Sequence, residues 1–167
     1  MQATSSTVIA QDNKALVQRY LEEIINKGEM SVADEILAPD YVNRSSGGGI
    51  GLSRNDFVQS LIAMRTAFPD WHVTIEEMVT DGDIVVDRIR ISATHTGSVN
   101  GVPASGRRKA TLAMHMWRVT DGKLAEGWYT TDALPSVTAA LVPAKQTRSS
   151  DDDTDSRLAV RSEKLST

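Results

Sequence analysis

Three residues on separate alternating stretches carry side chains suited to moving a proton: Arg88, His115 and Tyr129. An imidazole titrates near neutrality, so it gives or takes a proton without a large pKa shift. A guanidinium stays charged and can hold a carboxylate or a developing enolate, and a phenol can donate a hydrogen bond to a carbonyl. Hairpin arithmetic brings the three together. If the loop over 97–106 closes symmetrically, paired residue numbers sum to about 203 and His115 lies opposite Arg88. A two-residue turn at Asp121-Gly122 gives a sum of about 243 and sets His115 beside Trp128; one bulged residue gives about 244 and sets it beside Tyr129. In either register a guanidinium, an imidazole and an aromatic ring form a row across three strands. Two blander roles compete: His115 as a core or interface histidine, and Arg88 as a structural partner of an acid such as Glu77.

Other chemistries find less support. His72, His95 and His115 lack metal-ligand spacing, so no metal is expected. The run Gly47-Gly48-Gly49 with Gly51 lacks the lysine of a phosphate loop and reads as a flexible loop near a pocket mouth. Arg107-Arg108-Lys109 reads as a solvated strand start, and no Gly-x-Ser-x-Gly elbow marks a serine nucleophile. The chain has no cysteine, which removes thiol and metal-thiolate chemistry.

The elements that must position these residues follow from periodicity. Leu16, Tyr20 and Ile24, with Val17, Leu21 and Ile25, repeat at helical spacing between Asp12 and Gly28. Ser31 and Asp34 have the spacing of a capping box for a short second helix stopped by Pro39; Ser53 and Asp56 repeat it before a third helix carrying Phe57, Leu61, Met64 and Phe68. From Trp71 the period becomes two, predicting strands over 71–79, 84–96, 108–120 and 123–131, with Asp-Gly pairs at 81–82 and 121–122 as turns. Asp132 can cap a final helix through Leu141. The result is an α+β domain with three N-terminal helices on a curved, antiparallel four-stranded meander. On the third strand Ala113, His115, Trp117 and Val119 share one face, and Leu112, Met114 and Met116 the other. A sheet apolar on both faces needs cover on both, which predicts a homodimer through the sheet.

Composition bounds the rest. The 167 residues, 40% apolar and 24% charged, are one domain's worth of chain. A net charge of −4 argues against nucleic-acid or anionic-membrane partners. The eight aromatic residues all lie between Tyr20 and Tyr129, and the segment 145–167 holds ten charged and four apolar residues, so the folded domain is expected over 12–142, between a flexible 1–11 and a disordered charged tail over 143–167. The first residues have no signal-peptide pattern and no apolar run is long enough to span a membrane, so a cytoplasmic protein is expected.

The stretches "RYLEEIINKGEMSVADEILAPDYVNR", "AFPDWHVTIEEMVTDGDIVVDRIRISATHTG" and "HMWRVTDGKLAEGWYTTD" resemble the SnoaL-like polyketide cyclases and ester-cyclase-like proteins of the NTF2-like superfamily, over about residues 12–141. The resemblance implies a cone-shaped α+β barrel with a deep apolar pocket, sheet-mediated dimers, and an intramolecular aldol ring closure that uses no cofactor. It also implies a carboxylate on the last strand as acid/base, with a histidine nearby. His115 matches the histidine. Tyr129 stands where the carboxylate is expected, and Asp132 is the nearest alternative. The limonene-epoxide-hydrolase branch is similar in its Tyr-x-Asn, here Tyr41-x-Asn43, but its Arg-x-Asp becomes Arg88-x-Arg90.

Together these imply catalytic roles for His115, Arg88, Tyr129 and Asp132, with Tyr20, Tyr41, Asn43 and Trp117 lining a pocket for a small polyketide-like molecule. The expected function is a cofactor-independent enzyme of secondary metabolism, of lyase or isomerase type: a cyclase, or a variant serving a hydroxylation or rearrangement. The competing class is a non-catalytic ligand-binding or assembly module, since one fold hosts many functions. A deep pocket with convergent polar groups favours the enzyme; a shallow one blocked by aromatic rings favours the module.

Overall fold

A computed structural model describes residues 2–45, 51–99 and 101–131. The first helix, α1 (Gln2–Arg19), begins well before Asp12 and continues as a wider π-helical stretch over Tyr20–Lys27. Gly28 ends it in the left-handed conformation, φ 75°, where its N–H donates to the Glu23 carbonyl. Val17, Tyr20, Leu21, Ile24 and Ile25 are buried, as the four-residue spacing predicted. Each such aliphatic side chain contributes about 1.5–3 kcal/mol through burial.

The short helix α2 (Ala33–Ile36) follows a 3-10 turn and has no side-chain cap, so the box expected from Ser31 does not form. Before α3 (Arg54–Ala67) the N-cap half of the box forms: Asp56 N–H donates to Ser53 Oγ at 3.3 Å, and the Ser53 hydroxyl donates to Asp56 Oδ2 at 2.7 Å. Phe57, Leu61, Met64 and Phe68 are buried against the sheet side of the molecule.

The sheet has six strands rather than four, in the order β2-β1-β6-β5-β4-β3: β1 (Leu37–Ser45), β2 (Leu52–Ser53), β3 (His72–Asp81), β4 (Ile84–Thr94), β5 (Arg108–Thr120) and β6 (Lys123–Thr131). The last four are the expected meander. The addition is β1, which lies parallel to β6, with a register shift between Leu37 and Val42 where Pro39 has no N–H to give the ladder. Strands β2 and β3 are the two edges, so the sheet is open and does not close into a barrel.

Helices and sheet enclose one main core, in which Tyr20, Ile24 and Phe57 meet Val85, Ile89, Trp117 and Leu124. On β5 the alternation is as predicted: Ala113, Trp117 and Val119 are buried, while Met114 and Met116 are 48% and 37% exposed on the outer face. The final helix expected from Asp132, the 143–167 tail and Gly47-Gly48-Gly49 lie outside the described residues.

Candidate active site

The inward residues of β4 are Val85, Asp87 and Ile89, all almost fully buried. A carboxylate between two aliphatic residues on a core face is costly unless it is paired. The register between β4 and β5 supplies the partners, for Asp87 lies opposite His115. Trp117 Nε1 donates to Asp87 Oδ2 at 2.7 Å, and His115 Nδ1 lies 3.0 Å from Asp87 Oδ1. Neither Oδ1 nor Nδ1 has an aligned hydrogen bond, so these two buried atoms are each other's nearest polar partner by proximity alone. The indole and imidazole meet edge to face with centroids 5.2 Å apart.

That register corrects the expectation for Arg88. The hairpin pairs at a sum one lower than the symmetric loop predicted, and a one-residue slip exchanges faces. Val99 and Val102 bridge near the loop tip, and His95 N–H donates to the Arg107 carbonyl at 3.0 Å. Arg88 therefore pairs with Met114 on the outer face, where it binds Glu76 at 2.6 Å and Glu77 at 3.1 Å. It is the structural ion pair of the blander reading, and Asp87 stands in the row it was expected to occupy.

The other side of the row follows the bulged register. His115 lies opposite Tyr129, with ring centroids 6.4 Å apart. The turn at Asp121-Gly122 is two residues long, both at positive φ. The extra residue enters farther along, where Arg118 pairs with Glu126 but Val119 pairs with Leu124, leaving Ala125 as the bulge. Burial pushes the Tyr129 phenol above its ordinary pKa, so at neutral pH it is a hydrogen-bond donor and no base.

His115 and Tyr129 line a cavity of about 120 Å³ between the sheet and the helices. Its inner wall carries Tyr20, Asn43, Trp117 and Tyr129 beside His115. Tyr20 packs on Trp117 with centroids 4.8 Å apart, and burial raises its pKa far above the ordinary value. Tyr41 does not reach the cavity wall. It is 1% exposed behind Asn43, whose Nδ2 donates to its hydroxyl at 3.2 Å. Gly127, opposite Trp117, makes room for both: a Cβ there would stand 2.5 Å from the Tyr41 hydroxyl and 2.9 Å from the Trp117 ring. Asp132 lies outside the described residues.

The opposite end of the cavity carries groups that the sequence reading passed over. His95 continues the inward face of β4, and Arg107 and Lys109 line the cavity on the facing segment instead of standing wholly in solvent. Asp70 of "FPD" accepts both the N–H and the hydroxyl of Thr94, each at 2.7 Å, and the N–H groups of Thr96 and Gly97 donate to the Ala67 carbonyl. The "FPD" turn and the "THTG" end of the same stretch thus anchor each other and hold His95 at the cavity. The signal for Asp87 was present in the sequence as a lone acid between Val85 and Ile89. Among the described residues no cluster of three or more His, Cys, Asp or Glu could hold a metal, and no helix among them is long and apolar enough to cross a membrane.

Comparison with known proteins agrees with this fold. A family model described as SnoaL-like polyketide cyclase matches residues 15–139. The chain is 28% identical over 104 residues to nogalonic acid methyl ester cyclase of Streptomyces nogalater, covering 60% of this chain and 77% of the relative. A candidate SnoaL-like polyketide cyclase from Jannaschia sp. CCS1 superposes with a TM-score of 0.71 at 25% identity, covering 81% of this chain and 95% of the other. AclR of Streptomyces galilaeus, a candidate hydroxylase, gives 0.68 at 27% identity over 80% of this chain and 99% of its own. IdmH of Streptomyces antibioticus, a candidate polyketide cyclase, gives 0.66 at 26% over 78% and 99%.

Proposed function

Because the chain belongs to the SnoaL-like polyketide cyclase family, we propose that it closes a ring in a small polyketide-like molecule by acid/base chemistry centred on His115. The observation that carries this reading is the buried Asp87 carboxylate 3.0 Å from His115 Nδ1 at the cavity wall. A carboxylate on Nδ1 favours the tautomer with its proton there and stabilises the imidazolium, leaving Nε2 to work on a ligand. His115 then removes a proton from carbon next to a carbonyl, while Tyr129 and Asn43 hydrogen-bond the oxygen that gains charge. The enolate carbon attacks a second carbonyl of the same molecule, and the new alkoxide takes its proton back from His115. One C–C bond forms, nothing leaves, and the product is an isomer of the substrate.

This assignment moves the carboxylate of the site from the last strand to β4. Tyr129, in the position where the family resemblance implies an acid/base carboxylate, becomes an oxygen-binding group. The same dyad would serve a rearrangement or a hydroxylation component, which the likeness to AclR keeps as the second reading. Convergent polar groups around the cavity favour the enzyme over a binding module. The outer face of the sheet, where Met116 and Val79 at 62% exposure flank Val86 in one row and exposed Met114 lies next along β5, is the surface proposed for a homodimer, and a cytoplasmic site of action goes with this reading.

The test is incubation with nogalonic acid, with its methyl ester and with related polyketides as free acids and esters, followed by separation and mass analysis. A product of unchanged mass is expected from the wild type. Conversion that is equally fast with His115→Gln would refute the role of His115.

A further inference from the structure

We propose that the outer end of the cavity, formed by His95, Arg107 and Lys109, binds a carboxylate of the ligand and so selects a free acid over its ester. This rests on the reading above only in taking the cavity as the substrate site.

The three residues are cross-strand neighbours. His95 N–H donates to the Arg107 carbonyl at 3.0 Å, the His95 carbonyl accepts from Gly106 N–H at 2.8 Å, and Lys109 pairs with Ala93 on the same face. Directly opposed and diagonal side chains on one face lie within reach of a common ligand atom. All three line the cavity. His95 is 6% exposed, stacks on Phe68 at 4.9 Å, and its Nε2 is buried without a hydrogen-bond partner. A buried polar nitrogen without a partner is costly, and a ligand oxygen that entered beside the His95 ring would offset that cost.

The charges point the same way. Among the described residues Arg19, Arg44, Arg54, Arg88, Arg90, Arg108 and Arg118 are each held by an acid, and Arg65 by backbone carbonyls. Among the described residues Arg107 has neither, and Lys109 has no acid within ion-pair distance. In a chain of net charge −4, two unanswered cations beside an orphaned imidazole nitrogen form a site for one anion. Guanidinium and carboxylate geometries match in a two-pronged bond, which makes a carboxylate the fitting group. Six residues of extended β5 separate Lys109 from His115, about 20 Å between backbones. The anion is therefore held at one end of the cavity while the reacting carbons lie at the other.

Calorimetric titration with 2-naphthoate and with methyl 2-naphthoate tests the proposal. The wild type is expected to bind the acid about tenfold or more tightly than the ester, with the ratio falling as salt is added. In Arg107→Ala/Lys109→Ala the ratio drops to about one, and in His95→Ala it drops partway. His115→Gln retains the full preference, so anion selection and proton transfer fail independently. Equal affinities in the wild type overturn the proposal, as does a preference that survives the double substitution.

Discussion

Asp87 and His115 face each other across β4 and β5 with 3.0 Å between Oδ1 and Nδ1, and the carboxylate's other oxygen accepts the Trp117 indole N–H at 2.7 Å. The pair is buried at one end and meets the cavity at the other, which is the arrangement of a histidine whose orientation is set from behind. Asp87→Asn keeps the shape but removes the charge that stabilises the imidazolium. We expect it to lower kcat/KM for the ring closure by about 100- to 10,000-fold while the melting temperature changes little. Comparable turnover in the two proteins, measured under subsaturating substrate, would remove Asp87 from the mechanism.

Trp117→Phe deletes the donor to Asp87 Oδ2 and leaves that oxygen buried with no partner. The expected cost is about 1–3 kcal/mol of folding stability, read from the midpoint of urea unfolding. A midpoint equal to that of the wild type would mean that the carboxylate finds another donor.

Tyr129 is held above its ordinary pKa by burial. It therefore stays protonated from pH 6 to pH 9, and removing its hydroxyl should lower kcat/KM by one factor across that range. Tyr129→Phe is expected to lose about 10- to 100-fold with the shape of the pH profile unchanged. A loss that grows with pH would point instead to the phenolate.

Asp70 holds Thr94 by two hydrogen bonds, and the backbone one is the larger cause of its lowered pKa. A carboxyl lowered on folding adds stability that is fully present above its unfolded pKa, about 4, and is lost as pH falls through the lower folded value. Asp70→Asn should flatten that part of the acid limb, as seen by melting temperatures between pH 2.5 and pH 6. If both proteins lose stability in parallel over this window, the Thr94 contacts are not what senses acid.

Gly127→Ala would push a methyl group against the Tyr41 hydroxyl and the Trp117 ring. Overpacking of this kind costs about 1–3 kcal/mol. A thermal scan showing no loss would mean that the indole shifts freely, and with it the support of Asp87.

Much of this arrangement is legible in the sequence, for reasons that differ by element. The meander shows because each of its hairpins is local and alternates cleanly. Strand β1 does not, because "LAPDYV" is broken by Pro39 and pairs in parallel with β6, far along the chain, where hairpin arithmetic has no purchase. His115 stood out as the lone polar group on an apolar face. Asp87 is hidden because symmetric closure of the long loop gives a register one residue off, which puts Arg88 inside and Asp87 outside. Arg107 and Lys109 looked like a solvated run because the residue between them, Arg108, does face outward and pairs with Asp70.

The bulge at Ala125 gives the site an unusual route for change. Deleting that one residue would close the bulge and leave Tyr129 opposite His115, whereas drawing Ala125 into regular pairing with Arg118 would shift every later partner by one, bring Trp128 opposite His115 and turn Tyr129 to the outer face. The group beside the histidine is therefore set by whether the strand bulges at this point, and can be exchanged without any substitution inside the pocket.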